Sequence, residues 1–333
     1  MIMFHHMSGY WGGTTWFGYV GVSIFAVMSG FLEGYHYINK EELPSGKSML
    51  IKKIKQFLPL HLIMFIFALI ILIIDQHKNK LSIYMILGKI VFNLTFLQAF
   101  VPVREIYFGL NGVEWYLTVY LLFVMFIPLI IKWIKRIEKK NYALVSIIIF
   151  QLIFSVIIGN LNISENLKLW LIYVNPFVRI WDFIEGVLVA SMVVDKEYHI
   201  KEIYYGRNSA LFYSIIEFIS FVLFGVISVY GNYMPRYVAM VWIFTTLGLW
   251  IVYLFALNKG LISRLISGKY SPLVMVSKYG TEIYLMHQIL YGYFFRANHH
   301  LLNISFPWIG IIVAVGVLLC AVIYNKIVIY LNR

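Results

Sequence analysis

The feature that most constrains this chain is a series of apolar runs, each about as long as a bilayer is thick. Residues 57–75, FLPLHLIMFIFALIILIID, are the clearest. A helix needs about 20 apolar residues to cross roughly 30 Å of hydrocarbon. Comparable runs recur at 17–37, 115–134, 142–159, 177–194, 210–230, 236–257, 279–295 and 306–330. They are continuous rather than alternating, which argues against a barrel of tilted strands. With 61% hydrophobic and 13% charged residues in 333 positions, the chain could not give each helix a water-facing side. The expected fold is all-α: a polytopic transmembrane helical bundle forming one domain over residues 1–333, with no long linker, low-complexity tract or repeat.

Residues 1–9, MIMFHHMSG, are too short to span and read as the last part of a helix. That gives about ten helices, the first truncated. These residues lack the basic start and long apolar core of a cleavable signal peptide. Residues 76–114 hold only a semi-apolar piece, Ile83 to Phe100, with Lys89 and Asn93 inside it. An interfacial or re-entrant helix is expected there.

Basic residues set the orientation. Loops 38–56, 132–141, 195–209, 258–278 and the C-terminal end fall on one side and hold nineteen of the 27 Lys and Arg. The opposite loops hold seven, and Arg179 lies within a span. The richer side is expected to be cytoplasmic, which puts the C-terminus there in a multi-pass protein of the cell membrane, plasma or inner. The net charge of +12 then reflects contact with anionic membrane lipids rather than nucleic acid. The one cysteine, Cys320, lies in an apolar run and cannot form an internal disulfide. No Cys/His spacing suggests a metal site.

Ionisable groups inside a span are costly and tend to face inward, where they pair or work. His5 and His6 occupy the apolar stub. Arg179, Asp182 and Glu185 lie in FVRIWDFIEGVLVA, and Glu282 and His287 in YGTEIYLMHQIL. Arg179 and Asp182 are three apart, share a helix face and can neutralise each other. Glu217 has no partner on its own helix and is assigned no role. For the two histidines the readings are a hydrogen-bonded ring under a loop, or a general base or acyl acceptor. Lys52, Lys53 and Lys55 either mark cytoplasmic topology or cradle phosphate. Asn111, Glu114, Trp115 and Tyr116, in NGVEWYL, either anchor the interface or stack on and hydrogen-bond a sugar ring.

Several of these stretches resemble, in order, segments of the membrane-bound acyltransferase 3 family. Phe4-His5-His6 is similar to the end of its first helix, and GVSIFAVMSGFL (21–32) to its glycine-to-SGF segment. KKIKQFLPLH (52–61) resembles its basic stretch before a proline. TFLQAF (95–100) with NGVEWYLTVYLLFVMFIPL (111–129) resembles the central signature. PFVRIWDFIEGVLVA (176–190) and SKYGTEIYLMHQILY (277–291) match later segments. There are departures. Lys53 and Gln56 stand in the Arg-x-x-Arg positions, Tyr120 stands where many members have glutamate, and Ser23 and Ala26 replace Asp and Phe.

The resemblance implies transfer of an acyl group, often acetyl, from cytoplasmic acyl-CoA to a hydroxyl of an envelope polysaccharide or lipid-linked sugar. Acyl-CoA (acetyl-CoA) would be a donor substrate, with no permanently bound cofactor. It makes His5 the base or transient acyl carrier, with His6 in reserve. Lys52, Lys53, Lys55 and Arg179 would meet the donor. Asn111, Glu114, Trp115, Tyr120, Asp182 and His287 would meet the acceptor or line its cavity. The alternatives are a glycan or lipid flippase or transporter without chemistry, or an inactive relative.

Overall fold

The computed structural model describes residues 2–8, 16–79, 81–200, 207–302, 304–305 and 308–331. Residues 201–206 of one expected cytoplasmic loop and the C-terminal Asn332 and Arg333 lie outside them. The first helices are α1 (Ile2–Ser8), α2 (Phe17–Tyr37), α3 (Gly46–Asn79), α4 (Ile83–Leu94), α5 (Arg104–Tyr107) and α6 (Trp115–Lys135). Then come α7 (Lys140–Asn160), α8 (Glu165–Leu169), α9 (Pro176–Ile200), α10 (Arg207–Tyr230), α11 (Arg236–Val238) and α12 (Phe244–Ala256). The last are α13 (Leu261–Ser267), α14 (Pro272–Ser277), α15 (Gly280–Ala297) and α16 (Trp308–Leu331). Among the described residues there is no strand.

Among the described residues, all ten segments expected to be helical form helix. Seven helical stretches are long and apolar enough to cross a membrane: 17–37, 46–75, 112–135, 140–160, 209–230, 236–256 and 308–330. Helices α9 and α15 complete the bundle but are more polar, α9 because it carries Arg179, Asp182 and Glu185. Helix α4, with 12 residues, is about 18 Å long and falls short of a span.

The centre of the bundle is the seam of α2 against α9. A side chain at Gly30 or Gly186 would drive into the facing backbone, and one at Gly34 would press on Val187. Gly30 and Gly34 are four apart, so they form one flat strip that lets the helix backbones touch, the usual means of helix association where lipid removes any hydrophobic drive. Helix α12 packs on the other side of α2, and α6 packs on both α9 and α3. Helix α15 lies against α3 and α16. The short α1 rests on α2 and α15, which sets its histidines between those two helices. Outer helices α7, α10 and α16 expose Phe150, Phe218 and Leu319, as lipid-facing surfaces do.

Glu217 proves to have a partner outside its own helix. Its buried carboxylate accepts the backbone N–H groups of Gly260, Ile262 and Ser263 at 3.0–3.2 Å. It thus satisfies the open amides at the start of α13 and pins that turn to α10.

Candidate active site

Among the described residues, three polar centres carry most of the expected site residues. The first is a cavity of about 250 Å³ whose wall includes His5, His6, Tyr19, Trp115, Tyr173 and Tyr284. Helix α1 supplies the histidines, and Gly18 makes room for them, because a β-carbon there would enter the His5 ring. His5 stands edge-on to Tyr19, with ring centroids 5.6 Å apart. Trp115 and Tyr19 each lie 5.0 Å from Tyr173, so one side of the cavity is a continuous aromatic wall.

His6 approaches His287 of α15, with ring centroids 5.4 Å apart. The Nδ1 of His287 faces the carbonyl oxygens of Tyr284 at 2.8 Å and Ile283 at 3.1 Å. Carbonyls only accept, so Nδ1 carries the proton and a neutral ring keeps its lone pair on Nε2. That nitrogen is buried and has no hydrogen-bond partner among the described residues. His287 also lines a second, largely apolar cavity of about 300 Å³, with Ile24, Phe25 and Met28. Ile2 and Tyr284 border both cavities. The His6–His287 pair therefore sits where the two spaces meet.

The second centre is on α9. Arg179 and Asp182 form the ion pair that their spacing suggested, at 2.9 Å and with each side chain 1% exposed. Gln151 Nε2 donates to Asp182 at 2.9 Å and Thr245 closes the same oxygen at 3.5 Å. Arg179 donates to Ser23 at 3.4 Å and its guanidinium stands 5.6 Å from the Tyr173 ring centre. Glu185 is fully buried one turn further on.

The third lies at the α3–α6 contact toward the basic side. Lys53 pairs with Glu33 at 3.0 Å, and its ammonium is 5.3 Å from the centre of the Tyr120 ring. The Tyr120 hydroxyl donates to Glu33 at 2.7 Å.

The expected site residues fall in different places. Lys52, Lys53, Lys55 and Arg179 do not form one cluster: Lys52 and Lys55 are exposed, and only Lys53 turns inward. Arg179 is held in the α9 centre by Asp182, so neither of these two lines the cavity. Asn111 and Glu114 do not line the cavity either. Both are 1% exposed. Glu114 is bonded to His61 Nδ1 at 2.8 Å and accepts from Asn111 at 2.9 Å. Tyr120 belongs to the Lys53 centre. Trp115, His5 and His6 do line the cavity.

The sequence reading passed over Tyr19, Tyr173, Tyr284, Glu33 and His61. In a chain with 18% aromatic residues, three tyrosines carry no signal of their own. Glu33 and His61 did carry one, since each is an ionisable residue inside an apolar run.

A family model described as "Acyltransferase domain", that of acyltransferase 3, matches residues 1–326. No curated protein and no solved structure matches the chain.

Proposed function

The chain belongs to the acyltransferase 3 family, and on that premise we propose that it moves an acyl group from cytoplasmic acyl-CoA, acetyl-CoA in the first instance, to a hydroxyl of an envelope polysaccharide or lipid-linked sugar. The observation that carries this reading is the histidine group at the cavity: His5 and His6 on its wall, with His287 5.4 Å behind His6.

An alcohol attacks a thioester poorly unless its proton leaves as the C–O bond forms. An imidazole supplies that base near neutral pH. In the reaction the acceptor oxygen adds to the thioester carbon and the proton passes to the imidazole. The C–S bond then breaks, and the coenzyme leaves as a thiol once the proton is returned to its sulfur. His6 lines the first cavity and approaches His287, which lines the second. His5 lies beside it, in edge contact at 5.6 Å, and either ring can take the proton or carry the acyl group. The aromatic wall of Trp115, Tyr173 and Tyr19 suits the flat apolar face of a sugar ring. Lys53, turned inward near the basic side, suits a phosphate of the donor.

The inner or plasma membrane, with the C-terminus in the cytoplasm, is the location that the basic-residue asymmetry supports. The test uses membranes containing the chain and acetyl-CoA labelled in the acetyl group. Label should enter a glycan or lipid fraction and should stop entering it in His5→Ala/His6→Ala. Label that stays on CoA across several acyl donors and acceptors would return the reading to a transporter without chemistry.

A further inference from the structure

A fourth polar group lies outside the reaction as drawn. His61 of α3 is fully buried, and its Nδ1 is 2.8 Å from Glu114. The second carboxylate oxygen of Glu114 accepts from Asn111 Nδ2 at 2.9 Å. The other hydrogen of that amide goes to the backbone carbonyl of Leu285, at 2.8 Å. The chain His61–Glu114–Asn111–Leu285 thus links α3 to α15 through the turn that precedes α6. It ends two residues before His287.

Three further features converge on this turn. Leu110, just before Asn111, has φ 53°, and Phe96, whose ring lies 4.2 Å from that of His61, has φ 57°. These are two of the three non-glycine residues with positive φ among those described, a costly backbone state that persists where surroundings enforce it. The Tyr284 hydroxyl donates to the carbonyl of Val113. Finally, Gly112 and Val113 line the histidine cavity together with Trp115, Tyr284 and Gln288. One wall of the cavity is therefore made of two segments, 112–115 and 284–288, bonded to each other and braced from behind by His61 and Glu114.

We propose that His61, Glu114 and Asn111 form a positioning unit that fixes α15 against the 110–115 turn and so holds His287 and Tyr284 at the cavity facing His6. Every hydrogen-bonding oxygen of Glu114 is used within the unit, which suits a brace rather than a substrate contact. A misplacement of about 1 Å at a reacting centre costs up to about a hundredfold in rate. The proposal rests on the acyl-transfer reading of the cavity, so its test has one arm that needs activity and one that does not.

In the first arm, labelled acyl transfer is measured per folded molecule for the full chain and for Glu114→Ala, Asn111→Ala and Glu114→Gln. Loss of the brace should lower kcat about tenfold or more while donor KM stays within about twofold. Glu114→Gln should recover most of the rate, because a Gln amide can accept from Asn111 and donate to His61 Nδ1. In the second arm, Gln288→Cys is made in a Cys320→Ser background, and the rate of labelling by a small methanethiosulfonate reagent is read with and without Glu114→Ala. That rate should change severalfold. A role confined to folding would lower only the amount of folded protein. Unchanged kcat per folded molecule would overturn the proposal wherever transfer occurs. Unchanged labelling would overturn it even if no transfer is found. If His5→Ala/His6→Ala stayed active, the cavity reading would fall, and the labelling arm would still decide whether the brace positions α15.

Discussion

The histidine cavity and the α9 charge cluster were singled out by one rule, that ionisable groups in apolar runs face inward, yet the fold treats them in opposite ways. Around Arg179 and Asp182 the neighbours close in: Gln151, Thr245 and Ser23 each supply a partner, and neither charge lines the two cavities beside the histidines, although Arg179 Nε and Nη1 and both Glu185 oxygens have no hydrogen-bond partner among the described residues. Around His5, His6 and His287 the neighbours are rings that stand back, leaving room for a small molecule. A charge that is neutralised and packed fixes helix register. An imidazole beside open space is placed for chemistry. Charge burial alone did not separate the two; the space next to the charge did.

The largest effect that would test the contrast is at the two histidines of α1. His5→Ala/His6→Ala should lower acyl transfer about a hundredfold or more, the usual scale for a lost general base, with the melting temperature in detergent little changed. Full activity would remove the distinction between the two regions. The converse holds on α9. Asp182→Ala leaves the Arg179 charge buried and alone, which costs on the order of 3–5 kcal/mol. Folded protein should fall sharply in size-exclusion chromatography. The double change Arg179→Met/Asp182→Leu should recover part of it, since the Arg179 charge is removed with its partner while Glu185 stays buried beside them. Recovery of folded protein with loss of activity would mean that the cluster also serves the reaction.

How far the sequence reached follows the same line. The helices were legible because apolar length is a local signal, and α9 and α15 were read correctly in spite of their charges. The Arg179–Asp182 pair was legible because both residues lie on one helix, three apart. What escaped were pairings between helices. Glu114 meets His61 across 53 residues, and Glu217 meets backbone amides 43 to 46 residues on. Neither distance leaves a local pattern. The direction of the three lysines escaped for another reason. Helix α3 is apolar through 57–75 except at His61 and Asp75, so its sequence gives little phase from which to tell that Lys53 turns inward and Lys52 and Lys55 outward.

Smaller effects sharpen the contrast within each region. Gly18→Ala would push on the His5 ring without adding or removing a charge. Transfer should drop severalfold with stability nearly intact, because only the cavity side of α2 is disturbed. An equal loss of both would mean that α1 is held by general packing and that Gly18 is not specific to the histidine.

The last expected effect concerns donor affinity and leaves the rate of transfer aside. Lys53 is the one lysine of its cluster that turns inward, and its ion pair with Glu33 is only partly screened, with the two side chains 24% and 12% exposed. Lys53→Ala should raise KM for acyl-CoA by about tenfold, in line with the loss of one charge-assisted phosphate contact, and should leave kcat nearly unchanged. Lys52→Ala and Lys55→Ala, on the exposed face, should change KM by less than about twofold, since a solvated charge contributes little at physiological salt. Three equal effects would point to a diffuse basic surface that draws in the donor by field alone. A graded result, with Lys53 well apart from its neighbours, would place the donor's phosphate at the inner side of α3, beside Tyr120 and Glu33. In that case Glu33→Gln should strengthen donor binding, because the carboxylate competes with phosphate for the same ammonium.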